Sequence, residues 1–131
     1  MSCFFLGVDL GTSSLKTILL DAASGSLLAE AAVEYSIQTP QPGWAEQDPQ
    51  IWVDAFLSTL PVVMNQARID TTQIEGISFS VQMHGCVCLD AQGNPLRPAI
   101  SWADQRSARE VEQVYACQGI EKLGAATGNP L

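Results

Sequence analysis

Short turns between the first three apolar segments constrain the fold of this chain more than any other feature. Residues 3–10, Cys-Phe-Phe-Leu-Gly-Val-Asp-Leu, are almost continuously apolar, which is typical of a strand buried on both faces. A short turn leads to a second predicted strand at 15–21, and Ser24-Gly25 lead to a third at 27–35, whose alanines also suit a helix. Strands joined by such short turns must be antiparallel.

A helix and a fourth strand follow the three predicted strands. After a loop over residues 36–48, Asp48 can cap a helix that has Pro49 at its first position. Apolar residues at helical spacing continue to about Arg68, and Pro61 is predicted to kink or divide this helix. The next strand, at 74–81, is predicted to run parallel to the first because a helix connects it to them.

The last third of the chain has weaker signals. Two segments, 86–89 and 96–100, flank a turn and predict a hairpin. Asp104 is predicted to cap a helix that runs to about Cys117, followed by a short helical segment at 119–124 and a turn-like tail at 125–131. Antiparallel and parallel pairing in one sheet, with packing helices, predicts the α/β class. The order βββ-α-β is also the opening of the ribonuclease H-like half found in actin-like ATPases.

Composition narrows the possible partners. The 131 residues suffice for one domain, and 47% of them are hydrophobic. A net charge of −8 argues against nucleic acid as a partner, although backbone N–H groups can hold a nucleotide's phosphates in an acidic protein. Because no run approaches the roughly 18–20 apolar residues of a membrane helix, and the start lacks a basic signal-peptide region, we expect no membrane partner and a cytoplasmic location.

Four cysteines stand at positions 3, 86, 88 and 117. Cys86 and Cys88 are two residues apart, which on a strand puts both on one face and differs from the spacing of a metal knuckle. We therefore expect buried free thiols rather than a metal or redox site.

The first candidate site is the turn between the first two strands, Asp9-Leu-Gly-Thr-Ser-Ser-Leu-Lys16. Gly11 is expected to allow unusual dihedrals and close approach of a phosphate, while neighbouring hydroxyls and N–H groups donate to it. Asp9, at the end of an apolar strand, suits Mg²⁺ or its waters. From the residues alone, phosphate binding and an ordinary hairpin turn are equally open. The turn matches neither the GxxxxGK[ST] loop nor the GxGxxG fingerprint.

Two further motifs follow strand ends, where α/β sheets place ligand contacts. Met83 and His84 follow the fourth strand, and His84 could bond a sugar hydroxyl or simply be a structural histidine. Trp102 could stack on a sugar face, and Asp104 and Arg106 could bond its hydroxyls. Equally, Asp104 could be a helix cap and Arg106 a surface charge.

A fourth motif, 41–48, carries Trp44 in a loop rich in Pro and Gly, where a tryptophan more often packs on its own domain than binds a ligand. These motifs, in this order, resemble the FGGY carbohydrate kinase family, and within it most closely the xylulokinases. The matching stretches cover nearly the whole chain, and they are 7–16, 42–48, 76–85, 96–106 and 127–131.

The resemblance implies an actin-like kinase that transfers the ATP γ-phosphoryl group to a sugar hydroxyl with Mg²⁺. Asp9 would serve the metal and the phosphates. Gly11, Thr12, Ser13 and Lys16 would lie along the ATP phosphates.

On the sugar side, Met83 and His84 match the pair that contacts the ketose in xylulokinases, and Asp104 and Arg106 would line or support the cleft. The substrate implied is a ketopentose such as D-xylulose. Ala103 departs slightly from the pattern, since asparagine is frequent there in xylulokinases.

The resemblance also implies that essential parts lie outside these residues. Residues 1–131 correspond to the N-terminal portion of the first of two kinase domains, and the aspartate that acts as general base lies beyond them. We therefore expect this chain to be inactive alone, and the full-length enzyme to be a homodimer. The alternatives are a kinase for ribulose, gluconate, glycerol or fuculose, or a non-catalytic actin-like ATP-binding module.

Overall fold

A computed structural model of the protein describes residues 3–128. The six strands in this range are Phe4–Leu10 (β1), Ser14–Asp21 (β2), Ser26–Glu34 (β3), Glu46–Gln47 (β4), Ile74–Val81 (β5) and Ala99–Ile100 (β6). Its three α-helices are Pro49–Ala67 (α1), Ala108–Gln118 (α2) and Ile120–Thr127 (α3), and a single 3₁₀ turn spans Thr71–Gln73.

The main sheet has four strands in the order β3-β2-β1-β5. The pairs β1–β2 and β2–β3 are antiparallel, whereas β1–β5 is parallel, so the predicted mixed sheet of the α/β class is confirmed. In this register Asp9 lies between Lys16 of β2 and Ser80 of β5. Since β1 and β5 run in the same direction, their carboxyl ends meet at one edge of the sheet.

Helix α1 packs on one face of the sheet and forms the core with it. Val63 and Met64 of the helix contact buried side chains of β1, β2 and β3. The opposite face of β1 is open in residues 3–128, where Phe5 is 42% exposed and Asp9 is exposed as well. The expectation that β1 is buried on both faces is therefore wrong, because its burial alternates as in a strand covered on one side.

Helix α1 begins as predicted. The Asp48 carboxylate accepts a hydrogen bond from the Gln50 amide at 2.9 Å, and Pro49 occupies the first turn. The predicted division at Pro61 is wrong, since the helix is continuous to Ala67. Proline removes one N–H from the helix ladder, but here it lies on the exposed side, where water can satisfy the freed carbonyl.

The predicted hairpin over 86–100 is only partly formed. Isolated bridges join Cys86 to Ile100 and Leu89 to Pro95. Strand β6 also pairs with β4, which lies inside the segment that the sequence predicted to be a loop. Cys86 and Cys88 are exposed, and their sulfur atoms lie 3.9 Å apart.

All four cysteines are free, as predicted, but their predicted burial is wrong, since three are exposed and Cys3 is half-buried. Helix α2 has Ser107 at its N-cap position, where the side chain makes no capping bond, so the prediction that Asp104 caps this helix is wrong. The Asp104 carboxylate is bonded elsewhere, as described below. Helix α3 extends the predicted segment to Thr127, so residues 125–127 are helical rather than turn-like. Positions 129–131 of the predicted tail lie outside the described residues. Within 3–128, no helix has the length and apolarity needed to cross a membrane.

A buried hydroxyl pair ties α1 to the sheet and yields a stability prediction. Thr17 and Thr59, 0% and 3% exposed, are joined by an Oγ1–Oγ1 hydrogen bond of 2.7 Å. Since Thr59 can donate its own proton to helix carbonyls of Ala55 or Phe56, we assign the Thr17 hydroxyl as the donor in this pair.

We expect Thr59→Val to lower the free energy of unfolding by roughly 1–3 kcal/mol, because it leaves a buried donor without an acceptor. Adding Thr17→Val to that variant removes the orphaned donor and should restore part of the loss. Urea unfolding of the two single variants and the double variant tests this. A double variant that is less stable than Thr59→Val would contradict it.

Candidate active site

The carboxyl ends of β1 and β5 border an open depression of about 410 Å³. Six of the candidate residues predicted from sequence line it, together with Leu10, Val81 and Gln82. The six are Asp9, Gly11, Thr12, Met83, His84 and Trp102. The structure thus brings the predicted phosphate motif and the predicted sugar motif to one place.

The turn between β1 and β2, which we call the hairpin (residues 11–14), is held by a tyrosine from the end of β3. The Gly11 amide donates to the Ser14 carbonyl at 2.9 Å. The Tyr35 hydroxyl donates to the carbonyls of Gly11 and Ser14 at 2.7 and 3.0 Å, and its amide donates to the Ser13 carbonyl at 2.9 Å. Sequence reasoning missed Tyr35, because nothing local marks a strand-end tyrosine as a partner of a turn more than twenty residues earlier.

Gly11 has a different reason to be glycine from the one expected. It is absent from the residues with positive φ, so the expected need for unusual dihedrals is wrong. A Cβ there would lie 3.3 Å from the Ser14 carbonyl oxygen, which is a tight contact. The missing side chain therefore permits the turn to close and leaves its outer surface open.

Asp9 and Lys16 lie side by side on the sheet face opposite α1. They also line a neighbouring depression of about 260 Å³ with Ser78 and Ser80 of β5. In the described part of the chain, no cluster of three or more His, Cys, Asp or Glu side chains could hold a metal ion. Mg²⁺ in kinases is commonly held by one or two carboxylates plus substrate phosphates, so Asp9 fits the part of such a site that a single side chain can supply.

The segment after β5 has an unusual backbone. His84 adopts φ 59°, in the left-handed region that residues other than glycine rarely use. The adjacent Met83 is 70% exposed. Strained backbone of this kind clusters at ligand sites, and here it coincides with the motif that the sequence singled out.

Trp102, from the motif at 101–106, contacts the hairpin directly. Its indole Nε1 donates to the Thr12 hydroxyl at 3.0 Å, across 90 residues of sequence. The ring stays 58% exposed and lines the depression. The sequence indicated this tryptophan as a candidate for sugar stacking but gave no sign of its contact with the hairpin.

Asp104 and Arg106 do not line the depression. Asp104 Oδ1 accepts from the Arg106 amide and Nε at 2.9 and 2.8 Å, and Oδ2 accepts from the Ala45 amide and the guanidinium at 2.6 and 2.7 Å. These four bonds use the whole acceptor capacity of the carboxylate. The hydrogen bond from Arg106 holds the pKa of Asp104 well below its ordinary value, and the same bond raises the pKa of Arg106.

Glu46 completes this network, and sequence reasoning missed it. Its carboxylate pairs with Arg106 at 2.6 Å and with Arg97, and its side chain is only 8% exposed. The Arg106 guanidinium also lies 3.7 Å above the centre of the Trp44 ring, which is cation–π distance. Trp44 therefore packs against its own domain, as the sequence predicted. The network joins the 41–47 loop to the turn that carries Trp102.

Comparison with known proteins agrees with this geometry. Residues 4–131 match the FGGY family of carbohydrate kinases, N-terminal domain. A xylulose kinase from Staphylococcus xylosus is 40% identical over 126 residues, which are 96% of this chain and 26% of that protein. The crystal structure of a xyloylose kinase from Brucella ovis is similar with a TM-score of 0.85 at 39% identity, covering 96% of this chain and 26% of that one.

The crystal structure of a gluconate kinase from Lactobacillus acidophilus also gives a TM-score of 0.85, at 26% identity over 95% of this chain and 25% of its own. These neighbours confirm the predicted fold class, the N-terminal part of an actin-like ATPase domain. The chain spans about a quarter of the length of the curated relatives it matches.

The Tyr35 phenol should ionise at a higher pH than an ordinary tyrosine. Burial, and after it the negative charge of Asp9, raises the pKa of Tyr35 above its ordinary value near 10. Because the folded state resists ionising this group, the stability it contributes is complete below pH 10 and is lost as the pH rises through the higher folded pKa.

We therefore expect the tyrosinate absorbance that Tyr35→Phe removes to develop at a pH above about 10. The chain has two tyrosines, and Tyr115→Phe is the matched control, which should leave this absorbance in place. If Tyr35→Phe removed absorbance that develops at or below pH 10, the assignment would be contradicted.

Proposed function

The chain belongs to the FGGY family of carbohydrate kinases, and from this premise we propose that it supplies one side of the active site of a D-xylulose kinase. The contact of Trp102 with Thr12 carries the proposal, because it joins a candidate sugar-stacking ring to the candidate phosphate turn beside the depression that Met83 and His84 also line. Since the chain spans about a quarter of its relatives' length, the activity is proposed for the intact protein of which residues 1–131 form the N-terminal portion of the first domain.

On the phosphate side, the hairpin presents backbone N–H groups and the hydroxyls of Thr12 and Ser13. We propose that these donors and the Lys16 ammonium orient the ATP phosphates, since oriented donors hold phosphate even in an acidic protein. Asp9 would hold Mg²⁺, directly or through its waters, and the ion when bound neutralises charge on the phosphates. Phosphoryl transfer depends mainly on such positioning and charge stabilisation.

On the sugar side, Met83 and His84 would contact the ketose, with the exposed Trp102 ring as a stacking surface. We propose that Asp104 and Arg106 support this surface rather than touch the sugar. The acceptors of Asp104 are fully used within the protein, and its network fixes the turn from Ser101 to Asp104.

Gluconate is the second candidate substrate, because a gluconate kinase shares the fold with the same TM-score as the xyloylose kinase. The higher identity to the xylulose kinases favours the ketopentose. Ribulose, glycerol and fuculose kinases and a non-catalytic actin-like module are the remaining alternatives. A homodimer and a cytoplasmic location remain predictions.

A substrate panel on the intact protein tests the proposal, with ADP release as the measurement. We expect turnover with D-xylulose. Turnover with another sugar and none with D-xylulose would refute the proposal that D-xylulose is the substrate.

The 131-residue chain alone should release no ADP above background with any sugar of the panel, because the resemblance places the general base outside it. Appreciable turnover by the chain alone would contradict the expectation that the general base lies outside these 131 residues.

The role of His84 can be separated from its strained backbone. In the intact protein we expect His84→Ala to raise the KM for sugar roughly three- to tenfold, the loss of about one hydrogen bond, with a smaller change in the KM for ATP. His84→Asn is the matched variant, because asparagine tolerates positive φ and removes only the ring. A larger effect on ATP than on sugar in both variants would refute the assignment.

A further inference from the structure

Gln47 is a buried amide at the meeting point of the two halves of the site. It lies on β4, is 1% exposed, and is fixed in place by pairing with Ala99 of β6. Its Nε2 donates to the Thr12 carbonyl at 2.8 Å and to the Ser36 carbonyl at 3.4 Å. Both acceptors are backbone carbonyls, so the side chain constrains the orientation of main-chain peptide groups.

The bond to Thr12 fixes the direction of the Thr12–Ser13 peptide group, at a residue that lines the depression. Because a peptide unit is planar, its carbonyl and the N–H of the next residue point in opposite directions. The inward bond from Gln47 to the Thr12 carbonyl therefore aims the Ser13 N–H outward. Ser13 is exposed at the tip of the hairpin, where the phosphate donors are proposed to lie.

The same amide reaches the sugar side. The Gln82 side chain donates to Gln47 Oε1 at 3.1 Å, and the Gln82 backbone N–H donates to the Leu10 carbonyl at 2.8 Å. Gln82 immediately precedes Met83 and His84. One buried side chain is thus bonded both to the hairpin and to the residue that begins the sugar motif.

We propose that Gln47 is a positioning residue of the kinase, which orients the Thr12–Ser13 peptide for the ATP phosphates through its Nε2 and holds Gln82 through its Oε1. The inference rests on the proposed function. It assigns a separate effect to each bond. The bond from Gln47 Nε2 to the Thr12 carbonyl would affect the use of ATP, and the bond from Gln82 to Gln47 Oε1 would affect the binding of the sugar.

Two substitutions in the intact protein separate these effects. Gln47→Glu keeps an acceptor for Gln82 but places a carboxylate oxygen against the Thr12 carbonyl. We expect kcat/KM for ATP to fall roughly ten- to a hundredfold, the scale of a misplaced reacting group, with the KM for sugar changed less than about threefold. Gln82→Met keeps the bond from Gln47 to Thr12, so it should raise the KM for sugar and leave the KM for ATP nearly unchanged.

A pH profile distinguishes positioning from a general loss of structure. Burial raises the pKa of a carboxyl group, so the acid introduced by Gln47→Glu should gain a proton as the pH is lowered from about 8 to about 6. The protonated acid can again donate to the Thr12 carbonyl, so kcat/KM for ATP should recover relative to wild type. Gln38→Glu adds the same charge at an exposed position beside β4 and should behave as wild type throughout.

The outcomes are separable. Wild-type kinetics in Gln47→Glu, or equal losses for ATP and sugar without recovery at lower pH, would overturn the role of Gln47 while leaving the kinase function intact. If Gln47→Glu fails to fold, a Gln82→Met variant that affects ATP more than sugar overturns the assignment. A wild-type protein that phosphorylates no sugar of the panel would overturn the proposed function, and this inference with it.

Discussion

The parallel pairing of β1 with β5 is the constraint on which the candidate site depends. It brings the end of β1, with the hairpin, beside the end of β5, with Met83 and His84. The backbone N–H of Gln82 extends the pairing past the end of β5, because it donates to the Leu10 carbonyl. If β1 slipped by one residue, Asp9 would turn toward α1 and its charge would be buried in the core. The alternation of buried and exposed side chains along β1 therefore fixes the register that the site needs.

The sequence was sufficient for those parts of the fold that local patterns encode. Strands β1, β2, β3 and β5 and helix α1 follow from apolar runs, short turns and a capped helical repeat, and each was predicted within a residue or so. The hairpin and the Met83-His84 motif, which follow the parallel strands β1 and β5, were also identified as candidate sites from the sequence, since α/β sheets place ligand contacts at strand ends. Their meeting at one depression is a consequence of the same topology.

The remaining features depend on partners distant in sequence. Strands β4 and β6 have two residues each, too few to show any periodicity, and they exist because they pair with each other. Asp104 has the spacing of a helix cap, but a guanidinium fork and the Ala45 amide compete for its oxygens. Tyr35 and Gln47 satisfy backbone carbonyls of a turn that lies 21 or more residues earlier, and a glutamine or tyrosine bears no local sign of such a role.

Under the proposed function, the charge distribution makes the orientation of the main chain important at this site. The chain has six basic residues against 14 acidic ones. Two of the six, Arg97 and Arg106, are paired with the buried Glu46, and Lys16 is the only one on a strand of the main sheet. A phosphate chain at the hairpin would therefore meet one ammonium group and otherwise oriented N–H and O–H dipoles. The attraction of a dipole depends on its direction, whereas that of a charge depends mainly on distance. An acidic domain that binds phosphate in this way must hold its donor peptides rigidly, and the bonds from Tyr35 and Gln47 to the carbonyls of the turn would do so.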